Sequence, residues 1–303
     1  LFDKNKTNIL FISTIALKNT NTFSIPEGIK SYSTDISGMT NIKKIIIPTS
    51  LTNIDPNKLP KSIESIEIKN GNKTLLYENG FLYNSSQTLI MCCSKEKDIT
   101  VPKGIKTIGA LSFKQATNVE NVVFPDSLVS IQDRVFEGAS NIKRIDIGKN
   151  VNNISPIFKR RNYNGVVNID KENTNYVIEN NILYKLNNGK KERLVAVLTE
   201  ITNNIEISKE VNIIGTNAFF GQKSMTQIII PKGVTSIEGG AFSECSKLER
   251  VEIPNTVTDI ANTAFSAESF NLSEIIIHNK ENSIAGAPWG AAKGMKVVQW
   301  VGK

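Results

Sequence analysis

Three cysteines and one histidine carry the most reactive side chains in this sequence of 303 residues. Cys92 and Cys93 are adjacent, Cys245 lies far along the chain, and His278 is the single histidine. A structural zinc site requires cysteine pairs at Cys-x-x-Cys spacing with partner ligands, which this arrangement does not supply. An odd cysteine count with one adjacent pair indicates no disulfide framework. The sequence therefore predicts no metal site and no cofactor.

Patterns typical of enzyme active sites are missing from the sequence. It contains no Gly-x-Ser-x-Gly nucleophile motif, no Walker loop, no His-Glu-x-x-His zinc motif and no Asp-x-Asp-x-Asp-Gly calcium loop. His278 lacks a neighbouring Ser, Cys or carboxylate constellation, and we interpret it as a surface residue. We predict no catalytic residue and a protein that is not an enzyme.

The overall charge and hydropathy restrict the class of protein only mildly. Lys and Arg number 36 against 29 Asp and Glu, a net charge of +7, which favours anionic partners without identifying one. Because no run of about 18 apolar residues occurs, we predict no membrane insertion. The start at Leu1 lacks the charged-then-apolar order of a signal peptide, and we expect the chain to be part of a longer protein.

An internal repeat defines the elements that position these side chains. The segment 230–237 recurs at 253–260, an offset of 23, and each copy is followed five residues later by Phe242 or Phe265. The same step from Ile to an aromatic residue occurs at Ile108, Ile131 and Ile214. Each unit closes with the pattern L-x-x-V-x-I, whose alternation predicts a strand with one buried face. A proline ends that strand, and we predict that the Ala-Phe segment is a short helical turn.

The repeat resembles the BspA-type leucine-rich repeat family, whose unit is IPxxVTxIgxxAFxxCxxLxxVxIP. The copy at 230–254 matches it most closely and has Cys245 at the family's cysteine position, which implies a core residue. Units begin near 25, 47, 101, 124, 147, 207, 230 and 253. The resemblance implies a curved leucine-rich-repeat solenoid of the β-rich α/β class, with a parallel β-sheet on one face, short helical turns on the other, and β-hairpin inserts. Stacking lets each unit bury anchors that it cannot bury alone.

Two inserts repeat as well, since 78–83 matches 179–184 at an offset of 101. Each has an Asn-rich turn between apolar runs, which predicts a hairpin. Aligned copies place Phe11-Ile12 and Val197-Leu198 where Cys92-Cys93 stands, so we interpret this cysteine pair as core residues. We predict one solenoid over 1–303, divided into a truncated hairpin unit (1–24), repeats (25–76), a hairpin insert (77–100), repeats (101–170), a second insert (171–206), repeats (207–278) and a C-terminal cap (279–303). The hairpin copy at 1–24 begins in mid-unit, so we expect more solenoid before it.

The x positions of L-x-x-V-x-I are candidates for a binding surface, because they face away from the core. We predict that this exposed face binds through Lys43, Lys44, Glu120, Lys143, Arg144, Thr226, Ile229, Glu249, Arg250, Glu252 and Ile276. Ile46, Val123, Ile229 and Ile276 share the third exposed position. They form an apolar contact stripe on one hypothesis and are covered by the hairpin inserts on the other. A further alternative is that the charges only keep an open sheet soluble.

Two basic segments form a second candidate surface. Lys159, Arg160 and Arg161, together with the predicted turn 190–193, could hold a polyanion such as a glycosaminoglycan. Neither segment has the aromatic interleaving or the module of a nucleic-acid-binding protein, so we predict no nucleic acid partner.

The family resemblance implies a function in protein binding. Proteins of this type are typically secreted or on the surface of bacteria, and several bind host matrix proteins. The first hypothesis is therefore an adhesion module that contacts a host, extracellular matrix or other surface protein. The second is a structural spacer that displays another domain. A contiguous apolar or single-sign patch would favour the first hypothesis, and mixed charges throughout would favour the second.

Overall fold

A computed structural model of the chain describes residues 3, 7, 9, 12, 17–155, 165–202, 205–265, 271–291 and 298–302. These residues belong to two compact units. Unit 1 comprises the described residues up to Ser155 together with Gly165–Asp170, and unit 2 comprises those from Lys171 onward.

Unit 1 is a stack of parallel strands with one hairpin insert. Its strands are β1 (Thr22–Ser24), β2 (Ser31–Tyr32), β3 (Lys44–Ile47), β4 (Asn53–Ile54), β5 (Ser65–Ile68), β6 (Leu75–Glu78), β7 (Phe81–Asn84), β8 (Thr88–Cys92), β9 (Asp98–Thr100), β10 (Thr107–Ile108), β11 (Asn121–Val123), β12 (Ser130–Ile131), β13 (Arg144–Ile147), β14 (Asn153–Ile154) and β15 (Val166–Ile169). The sheets β1-β3-β5 and β15-β13-β11-β9 contain the strands at the end of each repeat, which we call ladder strands. The sheets β2-β4 and β14-β12-β10-β8-β7-β6 contain the shorter strands and the hairpin.

Unit 2 has the same two kinds of sheet. Its strands are β16 (Tyr176–Glu179), β17 (Ile182–Asn187), β18 (Lys190–Val197), β19 (Ile213–Ile214), β20 (Gln227–Ile229), β21 (Ser236–Ile237), β22 (Arg250–Ile253), β23 (Asp259–Ile260), β24 (Glu274–Ile277) and β25 (Val298–Trp300). The ladder sheet is β20-β22-β24-β25, and the second sheet is β16-β17-β18-β19-β21-β23.

The ladder register confirms that equivalent repeat positions stack on one another. Ile99, Val122 and Ile145 are partners on adjacent parallel strands, and all three side chains are buried. Their neighbours along each strand point outward. The alternation therefore buries one side of every ladder strand against the core, as the predicted period of two requires.

Aromatic rings line the core of unit 2 in a column. The rings of Phe219 and Phe242 lie 5.1 Å apart, those of Phe242 and Phe265 lie 5.2 Å apart, and all three side chains are fully buried. Cys245 is fully buried in the same cluster. The Ala-Phe position thus supplies one core ring per repeat, as predicted.

The prediction that the Ala-Phe segments are short helical turns is wrong. Almost no helix occurs among the residues that the structure describes: a 3-10 helix covers Pro56–Lys58, and the Ala-Phe segments are turns. In four repeats the third residue after the repeat Ile has a positive φ, namely Leu111, Arg134, Asn217 and Gly240, and a right-handed helix cannot continue through it. In addition, Phe219 donates its backbone N–H to Ala241 O at 2.8 Å, so this amide bonds to the next repeat instead of to its own turn.

Both predicted hairpins are present. The turns Asn79-Gly80 and Asn180-Asn181 have positive φ at both central residues, the geometry of a type I′ turn. The third strand of each insert, β8 or β18, then pairs in parallel with β10 or β19. The hairpin strands β6 to β8 and β16 to β18 therefore belong to the second sheet of each unit, whereas β9, at the end of the first predicted insert, is a ladder strand.

The C-terminal segment, predicted to be a cap, continues the stacking in its described residues. Ile284 and Trp289 are buried at the same five-residue spacing as the earlier Ile and Phe pairs, and Phe265 donates its N–H to Trp289 O at 3.1 Å. Ile277 and Trp300 are register partners on the parallel strands β24 and β25. A Pro-Trp pair thus occupies the Ala-Phe position. No helix in the described ranges has the length and apolar character needed to cross a membrane.

Candidate binding face

The predicted binding residues lie on the outward side of the ladder strands or directly before them. None of Lys43, Lys44, Glu120, Lys143, Arg144, Thr226, Ile229, Glu249, Arg250, Glu252 and Ile276 is buried. We call the outward side chains of β1, β3, β5, β9, β11, β13 and β15, with the residue before each strand, the ladder face of unit 1. The ladder face of unit 2 consists of Thr226, Gln227, Ile229, Glu249, Arg250, Glu252, Ser273, Glu274, Ile276 and Gln299.

Opposite charges alternate on the ladder face of unit 1. The Glu120 carboxylate lies 2.7 Å from Lys143 Nζ and 3.0 Å from Lys97 Nζ. The hydrogen bonds from these two lysines, Lys143 first, hold the pKa of Glu120 below its usual value. Further ion pairs are Lys43–Glu64 at 3.0 Å, Lys44–Glu67 at 2.6 Å and Arg144–Asp146 at 3.0 Å. Exposed pairs of this kind contribute little to stability, and they leave this face with neither an excess of one sign nor a wide apolar area.

A chain of polar contacts crosses the ladder face of unit 2. Gln299 Nε2 donates to Glu274 Oε1 at 3.0 Å, and Arg250 lies 3.3 Å from the Glu274 carboxylate and 3.6 Å from that of Glu252. The other oxygen of Glu252 lies 2.9 Å from His278 Nε2. These contacts link side chains of β22, β24 and β25 with one another and with His278.

The exposed apolar positions do not form a continuous stripe. Ile229, Glu252, Ile276 and Gln299 are successive register partners, so Glu252 separates the two isoleucines. In unit 1, Ile46 lies between Ser24 and Glu67, and Val123 lies between Thr100 and Asp146, in the same way. The hairpin inserts do not cover Ile229 either, since 68% of its surface is exposed.

Ile229 borders a groove of about 420 Å³ at the carboxyl ends of the ladder strands of unit 2. The groove is lined by Ile229, Pro231, Lys232, Glu252, Pro254 and His278, among others. These residues come from three successive repeats, because His278 stands where the two preceding repeats have Pro231 and Pro254. The sequence alone predicts that His278 is a surface residue without a neighbouring carboxylate, whereas Glu252 lies beside it. His278 is exposed, as predicted. Its alignment with Pro231 and Pro254, the residues that follow the two preceding ladder strands, is the sequence signal that could have placed it in this groove.

The cysteines are core residues, as predicted. Cys92, Cys93 and Cys245 are all buried. Burial raises the pKa of Cys92 to about 12, and burial also raises that of Cys245, whose Sγ lies 3.1 Å from Phe219 O, to about 12. Both thiols are therefore protonated near neutral pH, which makes them poor nucleophiles and poor metal ligands.

Of the two basic segments, the one at 190–193 lies within the described residues. Lys159, Arg160 and Arg161 lie outside the described residues. The predicted turn 190–193 is instead the start of β18, and its charges are engaged: Lys191 Nζ lies 2.6 Å from the Glu179 carboxylate, and Arg193 Nη1 lies 2.6 Å from that of Glu238. The segment at 190–193 is thus part of a β-strand on which Lys191 and Arg193 form ion pairs within the chain.

A family model described as BspA type leucine rich repeat region matches residues 6–95, 86–203 and 198–288 of the chain, with six copies. Among solved structures, the pneumococcal vaccine antigen PcpA is 17% identical, with 90% of this chain and 75% of that chain covered and a TM-score of 0.56, and it shares the fold.

Two further bacterial structures are similar over most of this chain. A leucine-rich repeat protein from Eubacterium ventriosum is 21% identical over 83% of this chain, with a TM-score of 0.49, and the match spans 59% of that protein. A leucine rich cell surface protein from Faecalibacterium prausnitzii is 18% identical, with 88% of this chain and 89% of that chain covered and a TM-score of 0.46. No curated protein is detectably similar to the chain in sequence.

Proposed function

Because the chain belongs to the BspA-type leucine-rich repeat family, we propose that it is a protein-binding module that makes contact through the ladder face of unit 2. The observation that carries this proposal is Ile229, which is 68% exposed at the edge of a groove of about 420 Å³. Ile229 therefore offers a partner apolar area that can be buried beside a concave surface.

Exposed valines also occur on the ladder face of unit 1, and like Ile229 each has a charged register partner. Val123 lies opposite Asp146 and Val166 opposite Arg144, as Ile229 lies opposite Glu252. Ile229 is the more exposed side chain, and the prolines at 231 and 254 extend its apolar surroundings into the groove. Fully burying an isoleucine side chain contributes roughly 1.5–3 kcal/mol, enough to make Ile229 a principal anchor of a complex.

The finer proposal concerns location and partner. Family membership supports a secreted or cell-surface protein of a bacterium whose partner is a host, extracellular matrix or other surface protein. Binding to such a target requires no catalytic group and no cofactor. We therefore propose adhesion as the biological role and a non-enzymatic mechanism.

A binding panel tests the proposal. The chain is applied to immobilised fibronectin, fibrinogen, collagen, laminin and heparin at near-physiological salt, together with the variants Ile229→Asp and Val123→Asp. The proposal predicts saturable binding to at least one protein, lost in Ile229→Asp and kept in Val123→Asp. Binding to heparin alone that disappears at higher salt would instead assign the contact to Lys159, Arg160 and Arg161.

A structural spacer is the second candidate, and the charge pairs of unit 1 favour it. Lys43–Glu64 and Lys143–Glu120 give that face mixed charges, as expected for a sheet that only needs to remain soluble. The spacer predicts that the folded chain binds no protein of the panel and that Ile229→Asp behaves like the wild type throughout.

A further inference from the structure

The charges around Ile229 indicate the chemistry of the partner. We infer that the ladder face of unit 2 binds an extended polypeptide segment that is both apolar and basic, with an apolar side chain against Ile229 and a Lys or Arg near Glu249. This inference rests on the proposed function and adds to it the class of segment that is bound.

The first argument is the net charge of the ladder face of unit 2. Glu249, Glu252 and Glu274 are its acidic side chains, and Arg250 is its one basic side chain. Arg250 already contacts the carboxylates of both Glu252 and Glu274. The face as defined therefore has two more acidic than basic side chains, on a chain whose net charge is +7, and a basic segment would find a complement here.

The second argument is that Glu249 is available. Its side chain is exposed and forms no ion pair with any residue in the described part of the chain. Two hydrogen bonds identify its neighbours in the adjacent repeats: Thr226 O accepts the Glu249 N–H, and Ser273 Oγ donates to Glu249 O. Both of these neighbours are uncharged. A cation from a partner can thus pair with this carboxylate without displacing an existing partner.

The third argument is spacing. Glu249 precedes β22, whereas the register partner of Ile229 is Glu252, three residues further along that strand. A rise of about 3.3 Å per residue places the two contact points roughly 10 Å apart, within reach of four residues of an extended segment. Lys232 lines the groove beyond the carboxyl end of β20, whereas Glu249 precedes the amino end of β22. Because Lys232 would repel a basic side chain, the basic end of the bound segment should lie toward Glu249.

Selection from a displayed library of random 12-residue peptides on the whole chain tests the inference. Enriched peptides are then synthesised and their affinities measured for the wild type, Ile229→Asp, Glu249→Lys and Glu96→Lys. Glu96 is an exposed carboxylate of unit 1 and makes the last variant a charge-matched control. We expect peptides that combine Leu, Ile or Phe with Lys or Arg, bound about threefold more weakly by Glu249→Lys and equally well by Glu96→Lys.

The outcomes separate this inference from the proposed function. Peptides that require Ile229 but are acidic or neutral, or that ignore Glu249→Lys, would overturn the inference and leave the proposed contact surface intact. Failure to enrich any peptide that depends on Ile229 would overturn the inference as well. The proposed function is then decided by the protein panel alone, since a folded partner could still require Ile229.

Discussion

Ile229 of β20 and Glu252 of β22 lie directly opposite each other on adjacent parallel strands. Glu252 in turn contacts His278 Nε2 at 2.9 Å, so the most exposed large apolar side chain of the ladder face borders a carboxylate that already has a partner. Under the proposed function, this juxtaposition offers a partner an apolar side chain to bury and a carboxylate beside it.

Removing a ring from the core column should destabilise unit 2 strongly. Phe242 lies between Phe219 and Phe265 and is fully buried, so Phe242→Ala leaves a cavity at the centre of the column. The expected loss in free energy of unfolding is about 3–5 kcal/mol, measured by equilibrium denaturation in urea. Phe220 follows Phe219 in the sequence and is less buried, so Phe220→Ala should lower the free energy of unfolding clearly less. Equal losses for the two variants would contradict the column as the centre of the core.

A hydroxyl clamp links successive repeats. Ser127 Oγ accepts the Gly104 N–H at 3.0 Å and donates to Ile105 O at 2.9 Å. Thr256 makes the same two contacts, with Gly233 and Val234. Ser127→Ala should lower the free energy of unfolding by about 1–2 kcal/mol because it leaves both backbone groups without this partner.

Threonine provides the matched control for the clamp. Since Thr256 occupies the equivalent position, Ser127→Thr should keep nearly the full stability in the same urea titration. If Ser127→Ala and Ser127→Thr have equal effects, the hydrogen bonds are not what matters at this position.

One strained position offers a stabilising substitution. Leu111 has a φ of 60°, a left-handed conformation that is costly for leucine. Asn217 adopts φ 58° at the equivalent place, and asparagine tolerates this region because its short side chain can bond locally. Leu111→Asn should therefore raise the free energy of unfolding by about 1 kcal/mol, whereas Leu111→Ala should bring no such gain. A loss of stability in Leu111→Asn would show that the leucine side chain matters more than its backbone strain.

The ion pair between Arg193 and Glu238 predicts a pH dependence. Burial alone raises the pKa of Glu238, but the hydrogen bonds from Arg193 and Thr216 outweigh it, so the pKa lies below its usual value of 4.5. A lowered folded-state pKa contributes stability that is present above about pH 4.5 and is lost as the pH falls through the folded-state pKa. Glu238→Gln should therefore be less stable than the wild type at pH 7, and the difference should shrink on acidification toward pH 3. A difference that stays constant with pH would rule out this carboxylate as the cause.

Much of the fold is predictable because the repeat is regular. A spacing of 23 residues aligns Val101, Phe124 and Ile147 along with their strands, and Asn79-Gly80 between two apolar runs predicts a hairpin. The turn at the Ala-Phe position is harder to predict, because its left-handed residue is a glycine only at Gly240. At Leu111 and Arg134 the residue type gives no indication of a positive φ.

The binding face is predictable as a set of positions but not as a set of contacts. Alternation along each strand identifies Glu120 and Lys143 as outward-facing residues. The bond between them depends on which strands are neighbours and on the conformations of two long side chains. The same limit applies to His278, whose partner Glu252 is 26 residues away and becomes a neighbour only through stacking.

The most direct test of the contact surface is the affinity of the wild type and of Ile229→Asp for a protein that binds in the panel, measured by surface plasmon resonance with Val123→Asp as control. A buried Ile229 predicts at least a tenfold loss of affinity for Ile229→Asp, about 1.4 kcal/mol, and no change for Val123→Asp. Equal affinities for the wild type and Ile229→Asp, with both proteins folded, would contradict the assignment of binding to the ladder face of unit 2.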